Sequence, residues 1–188
     1  NITRSPDVPG LFLLHDFITA EEEASIICSI DADTQTPWRH SSFNGHCDSK
    51  SFGVRTQFGL PGVAQERAVR KNNPALGEHD LPAYLLPYPQ RLHDMVMNLD
   101  GVPIELKNFI PNECNCNSYE TSQQHSLRPH FDDRALSGPL LMNLSLGCDA
   151  RMTYISPKQI EIVVSLPRRC LQIVIGPARW VYQHCIKA

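Results

Sequence analysis

The 188-residue sequence contains no apolar run long enough to cross a bilayer, since a spanning helix needs about eighteen or more such residues in succession. It also has no basic, apolar and small-residue leader of the secretory kind, and it opens on Asn1 rather than Met, so the expectation is a soluble intracellular chain given as a fragment. There is no strong excess of positive charge: 17 Lys and Arg stand against 20 Asp and Glu, a formal net charge of −3, which excludes a protein that grips long nucleic acid through many phosphates. Any such contact would have to be local, from a cluster such as Arg67, Arg70 and Lys71. No internal repeat or low-complexity tract occurs, and neither a Gly-x-Ser-x-Gly elbow nor a phosphate-binding glycine loop is present, which removes serine hydrolases of that type and P-loop enzymes. Seven cysteines, an odd number scattered from Cys28 to Cys185, do not form the framework of a small disulfide-stapled domain and read as reduced thiols.

What is present suits one globular domain over residues 1–188, with 41% hydrophobic residues to build a core. A short strand at Leu11–Leu14 precedes a helix from about Ala20 to Ile30, with Thr19 and Glu22 at capping-box spacing and Ile26, Ile27 and Ile30 on its buried side. Residues 37–62 turn to Ser, Asn, Gly, His and isolated aromatics, with a possible strand from Phe52 to Phe58, and suit a substrate lid. Leu92, Met95, Val96 and Leu99 recur at helical spacing, while Pro82, Pro87 and Pro89 restrict where that helix begins. After Asp100-Gly101 come short β-type runs: Ile104–Phe109, Cys116–Tyr119, Leu140–Leu146, Ile160–Leu166, Cys170–Ile175 and Trp180–Ile186. Strands at this density behind a helical layer predict an α+β fold, a double-stranded β-helix (jelly roll) with flanking N-terminal helices.

The chemistry concentrates in His130-Phe131-Asp132. On a strand, side chains alternate, so His130 and Asp132 would share one face and Phe131 the other. A third imidazole, His184, can come from a strand closing the same sheet, with Trp180 and Tyr182 on its side. Two histidines and one carboxylate on one face of an iron leave open positions for oxygen chemistry. A lone His-x-Asp arises often by chance, and a lone histidine is more often a hydrogen-bonded core residue; His15, His40, His46, His79, His93 and His125 read as surface or lid residues. A weaker arrangement, Cys114-Asn-Cys116 with His125 or Cys148, would make a zinc site, although it lacks a second matching pair.

Around the triad the order of segments resembles the AlkB 2-oxoglutarate oxygenases: Asn117-Ser-Tyr119, His130-Phe-Asp132, Asn143-Leu-Ser-Leu-Gly147, Leu171-Gln-Ile-Val-Ile-Gly176 and Arg179-Trp-Val-Tyr-Gln-His184. The doublet Asp132-Asp133, the eleven-residue step from Tyr119 to His130, and the runs Leu166–Leu171 and Pro9–Leu14 look most like the homologue 4 branch. The resemblance implies an oxidative demethylase that uses Fe(II), 2-oxoglutarate and O₂, with His130, Asp132 and His184 as metal ligands. It further implies that Tyr119, with Asn117, hydrogen-bonds 2-oxoglutarate, and that Arg179 reaches substrate or a nearby carboxylate.

Members of that family carry arginines on a strand after the distal histidine, one of which pairs with the far carboxylate of 2-oxoglutarate, whereas this sequence has four residues after His184. The expectation is therefore a missing C-terminal strand and an unpaired sheet edge beside His184, with Arg168, Arg169 or Arg179 as substitutes. For substrate, the branch implies the N6-methyl group of adenine in DNA, presented as an unpaired or flipped base on which Trp38, Phe43, Phe52 and Phe58 would stack. The alternatives are a methylated protein lysine of the actin type, and a non-catalytic metal-binding module that lacks the cosubstrate arginine. Location in the nucleus, the cytoplasm or both goes with these substrates, and no membrane partner is implied.

Overall fold

The computed structural model describes residues 1–42, 44–53, 81–103, 107, 111, 113–134 and 137–188. In chain order the strands are β1 (Ile2–Arg4), β2 (Leu11–Leu14), β3 (Arg39–Ser41), β4 (Gly45–Gly53), β5 (Glu113–Ser118), β6 (Ser126–His130), β7 (Leu141–Leu144), β8 (Ala150–Ile155), β9 (Glu161–Leu166), β10 (Leu171–Val174) and β11 (Gln183–Ile186). The helices are α1 (Ala20–Ala32), α2 (Pro87–Met97) and the short α3 (Gly176–Trp180). Contacts divide the chain into two compact units, one of Asn1–Asp33, His40–Asp48 and Ser118–Ala188, the other of Thr34–Arg39 and Ser49–Asn117. Among the described residues no helix is long and apolar enough to cross a membrane.

The first unit is built on two antiparallel sheets. One has the order β1-β2-β10-β7; in the other β4, β6, β11, β8 and β9 follow one another, with β3 beside β4. Leu11 and Val174 from the first sheet and Met152, Tyr154, Val164 and Leu166 from the second bury into one apolar cluster, so the core lies between sheets as the jelly-roll expectation requires. Chain connections keep the sheets in place. Gly10 has φ +92°, and a Cβ there would stand 2.1 Å from the Ile175 carbonyl oxygen; this bare backbone accepts the Ile175 N–H at 2.9 Å and seats β2 against the end of β10.

α1 starts where its capping box predicts, with the Thr19 hydroxyl accepting from the Glu22 N–H at 3.2 Å and the Glu22 carboxylate accepting from the Thr19 N–H at 2.8 Å. Ile26 and Ile30 are buried, but so is Glu23, which the hydrophobic pattern passes over. Its carboxylate accepts from the Gly147 N–H at 2.8 Å and from Arg168 Nη2 at 2.7 Å, tying α1 to the turns after β7 and β9. The Arg168 hydrogen bond holds its pKa below the ordinary 4.5 even though burial pushes the other way. Glu23→Ala should lower stability by about 1–3 kcal/mol at neutral pH, read by denaturant unfolding, because a buried N–H loses its acceptor. Because the folded-state pKa is depressed, the contribution is present above 4.5 and is lost as pH falls through the folded-state value.

Several expected elements change. β8, Ala150–Ile155, is a strand that the sequence pattern does not predict, because Arg151 and Thr153 interrupt its apolar character. The expected strand over 180–186 begins only at Gln183, since Gly176-Pro177 starts α3 and carries Trp180 with it. Where described, residues 37–62 form β3 and β4 rather than loop; Gly45 and Cys47 are buried while His46 is exposed, an alternation hidden by polar composition. β11 is not a sheet edge, being paired with β6 on one side and β8 on the other, whereas β7 pairs with β10 alone among the described residues. Of the remaining expectations, Arg67, Arg70, Lys71, Phe43, Phe58 and almost all of the run Ile104–Phe109 lie outside the described residues.

In the second unit, α2 opens on Pro87 at its first position, where the missing N–H is no loss, and buries Val96. Phe52 packs edge-on against Tyr84, with ring centroids 6.1 Å apart.

Candidate metal centre

β6 and β11 are antiparallel neighbours, and His130 and His184 stand directly opposite one another in that register. The imidazole centroids are 4.4 Å apart. Asp132 completes the group: its Oδ1 lies 3.5 Å from His130 Nε2 and its Oδ2 3.7 Å from His184 Nε2, and all three donors fall within 4.8 Å of one another. The residues expected from sequence thus converge, but by a different route. β6 ends at His130, so Asp132 is in the following loop and strand alternation does not aim it. Phe131 is partly exposed and carries the Arg134 guanidinium over its ring at 4.6 Å.

Arg179 positions the loop. Only 2% exposed, its guanidinium donates from Nη1 to the Asp132 carbonyl at 3.0 Å, from Nη2 to the Asp133 carbonyl at 2.8 Å and from Nε to the Gly138 carbonyl at 3.2 Å. Of the expected reach to substrate or a nearby carboxylate, the geometry gives the fork spent on backbone oxygens of the metal motif, with its charge beside Asp132. Arg168 and Arg169 are equally committed, Arg168 to Glu23 and Arg169 to Asp16 at 2.7 Å, so neither stands in for a cosubstrate arginine. Arg134 adds a second brace by donating to the Trp180 carbonyl at 2.7 Å. Sequence pattern offers no sign of these two braces, since an arginine after a turn reads as a surface residue.

Electrostatics suit a cation. Burial, only partly opposed by Asp132, lowers the His184 pKa to about 4, so its imidazole is neutral with a lone pair to offer. Burial disfavours charge on Asp132 too, but hydrogen bonding to His130 and the charges around it hold the carboxyl below its ordinary value. At His130 burial is outweighed by Asp132 and the Arg128 carbonyl, and the pKa is raised. His130 Nδ1 donates to that carbonyl at 2.9 Å, which leaves Nε2 facing Asp132. A carboxylate and two imidazole nitrogens turned towards one another share a positive charge, a proton on His130 or a cation in its place, and the set of two nitrogens and one carboxylate oxygen is one that fits a metal ion.

Tyr119 is half-buried just beyond β5. Burial, then the charges of Cys47 and Asp132, push its phenol pKa up, so it is a protonated donor within the field of the triad. Tyr154, not singled out from sequence, is buried with its ring 6.1 Å from that of His184. Asn117, Trp38 and Phe52 belong to the second unit. Asn117 is exposed on β5; Trp38 lies under the Lys50 ammonium at 5.1 Å; Phe52 is 1% exposed and has no free face on which a base could stack. Cys114 and Cys116, with thiols 3.8 Å apart, join no group of three donors among the described residues, so the zinc arrangement with His125 or Cys148 does not form.

A family model for the 2OG-Fe(II) oxygenase superfamily matches residues 10–188. Similar proteins include the tRNA (carboxymethyluridine(34)-5-O)-methyltransferase alkbh8 of Xenopus tropicalis, 28% identical over 183 residues that make up 97% of this chain and 26% of that protein. The alpha-ketoglutarate-dependent dioxygenase alkB homolog 4 of Mus musculus is 26% identical over 212 residues, covering 95% of this chain and 62% of its own. The chain therefore spans about a quarter of the first relative and somewhat over half of the second. The solved structure of OsALKBH1 superposes with a TM-score of 0.61 at 16% identity, over 100% of this chain and 87% of that one, a likeness of fold.

Proposed function

Because this chain belongs to the 2OG-Fe(II) oxygenase superfamily, we propose that it is an AlkB-type 2-oxoglutarate-dependent dioxygenase that removes methyl groups oxidatively, with the N6-methyl of adenine in DNA as its substrate. The observation that carries the reading is the convergence of His130, Asp132 and His184 on one point. These residues would hold Fe(II), and Tyr119 would donate its hydroxyl to 2-oxoglutarate. When bound, the iron and 2-oxoglutarate supply the oxidation of a C–H bond by O₂, with succinate and CO₂ released; loss of formaldehyde from the hydroxylated N-methyl group completes demethylation.

The chain's own contribution is placement. Asp132 supplies the negative ligand that makes the site selective for a cation, and Arg179 holds the backbone from which it projects. His184 sits on a strand paired on both sides, so its ring is fixed relative to His130 before any ligand arrives. Burial of Tyr119 keeps its proton in place for donation rather than loss. Support for a nucleic-acid substrate comes from relatives whose names refer to tRNA and to alkylated DNA repair. A charge of −3 favours a single unpaired or flipped base over extended duplex contact. The test is 2-oxoglutarate-dependent formaldehyde release from N6-methyladenine oligonucleotides, single- and double-stranded, beside methyl-lysine peptides. Release from the single strand supports the reading, and release confined to the peptides replaces it.

Tyr119→Phe should weaken 2-oxoglutarate binding by about 0.5–1.5 kcal/mol, or up to roughly 3 if the bond is to a carboxylate, as measured by calorimetric titration of the Fe(II)-loaded protein. Unchanged affinity would remove Tyr119 from the cosubstrate site.

A further inference from the structure

We propose a second divalent-cation site in this chain, formed by His40, Asp48 and His125 and suited to an ion of the Zn(II) class; it shares no residue with the triad. His40 lies on β3, Asp48 on β4, and His125 immediately before β6. Their ligand atoms all fall within 4.8 Å of one another, and His40 Nδ1 is 3.3 Å from Asp48 Oδ1. Two donors bound at about 2.0–2.1 Å to a tetrahedral ion stand roughly 3.3 Å apart, so this spacing needs no rearrangement.

An exposed His–Asp pair alone is an ordinary surface contact. His125 is what that account leaves unexplained. It is only 3% exposed, and its Nε2 has no hydrogen-bond partner among the described residues, although buried polar atoms are almost always paired. The other ring nitrogen is committed: Nδ1 accepts the Glu120 N–H at 3.1 Å and lies 3.3 Å from the Ser118 carbonyl oxygen. With Nδ1 accepting, the ring proton is on Nε2; a cation bound at Nε2 takes the tautomer in which that proton moves to Nδ1 and is donated to the Ser118 carbonyl, at the expense of the Glu120 bond. His46 stacks on His40 at 5.8 Å between centroids, holding that ring, and water takes the fourth position.

Backbone geometry brings the donors together. Gly45 opens β4 at φ +144°, and a Cβ there would stand 2.1 Å from the Ser126 carbonyl oxygen, so only glycine lets β4 run this close to β6. An ion at the site would cross-link β3 and β4 to the chain entering β6, the strand that ends on His130.

The test uses the full chain with His130→Ala and Asp132→Ala, so that the triad no longer takes metal, stripped with a chelator and dialysed against Zn(II) alone. One Zn(II) per chain is expected, with a tetrahedral visible spectrum when Co(II) replaces it. Adding His40→Ala and Asp48→Ala, both at the surface side of the cluster, should lower Zn(II) affinity by more than about 100-fold with circular dichroism unchanged. His125→Gln should do the same, and the exposed pair serves as the control should that variant unfold. No Zn(II) in the triad-deleted chain, or unaltered affinity after loss of His40 and Asp48, overturns the proposal.

Discussion

Asp132→Ala is expected to bring 2-oxoglutarate-dependent formaldehyde release to background while leaving the unfolding midpoint nearly unchanged. Its carboxylate oxygens face both imidazoles, at 3.5 Å and 3.7 Å, so its removal takes the only negative charge from the group of three. The remaining pair of histidines no longer makes the facial arrangement of two nitrogens and one oxygen that suits Fe(II). The loop should survive, because Arg179 grips the carbonyl of residue 132 and not its side chain, and the stability change should stay within about 1 kcal/mol. Iron content after anaerobic loading, measured beside turnover and thermal unfolding, separates lost metal from lost fold. Full activity in the variant would sink the metal assignment.

Arg179→Ala should be more damaging to structure and nearly as damaging to metal binding. Three backbone carbonyls, those of Asp132, Asp133 and Gly138, lose their donor at once, and the buried space left by the guanidinium is ringed by acceptors. A loss on the order of 3 kcal/mol in unfolding free energy follows, with Fe(II) affinity down by about 10–100-fold because the loop carrying Asp132 is released. Arg179→Lys keeps the charge near Asp132 but offers a point donor where a planar fork is used, so it should recover little of either quantity. If Arg179→Ala binds Fe(II) as tightly as the parent chain, the loop is held by other means.

Of the triad, His130 and His184 each lie on a strand as expected, although the alternation that set His184 beside Trp180 and Tyr182 does not hold, because β11 begins only at Gln183. Asp132 does join the two imidazoles, but not by the strand alternation that singles it out, since it lies past the end of β6 on a loop held by Arg179 from 47 residues away. Glu23 was equally invisible: three consecutive glutamates in a first helical turn read as favourable charge at an N-terminus, and only the arrival of Gly147 and Arg168 distinguishes the middle one. His125 was recognised as a possible ligand but given the wrong partners, because neighbours in sequence, Cys114 and Cys116, are easier to see than His40 and Asp48 on strands that reach it through sheet pairing.

Local rules were sufficient for the class of fold and for the capping of α1, because those depend on periodicity and on residues within a few positions of each other, whereas the metal triad was legible through the order of segments that resembles a known family. Long-range pairing settled the rest. It placed β11 between two strands instead of at an edge, set Arg179 against the backbone of the metal loop, and gave His125 an environment in which one of its nitrogens has no partner among the described residues. Those outcomes turn on which distant backbone carbonyls and side chains come within about 3 Å, a distance that residue spacing along the chain does not encode.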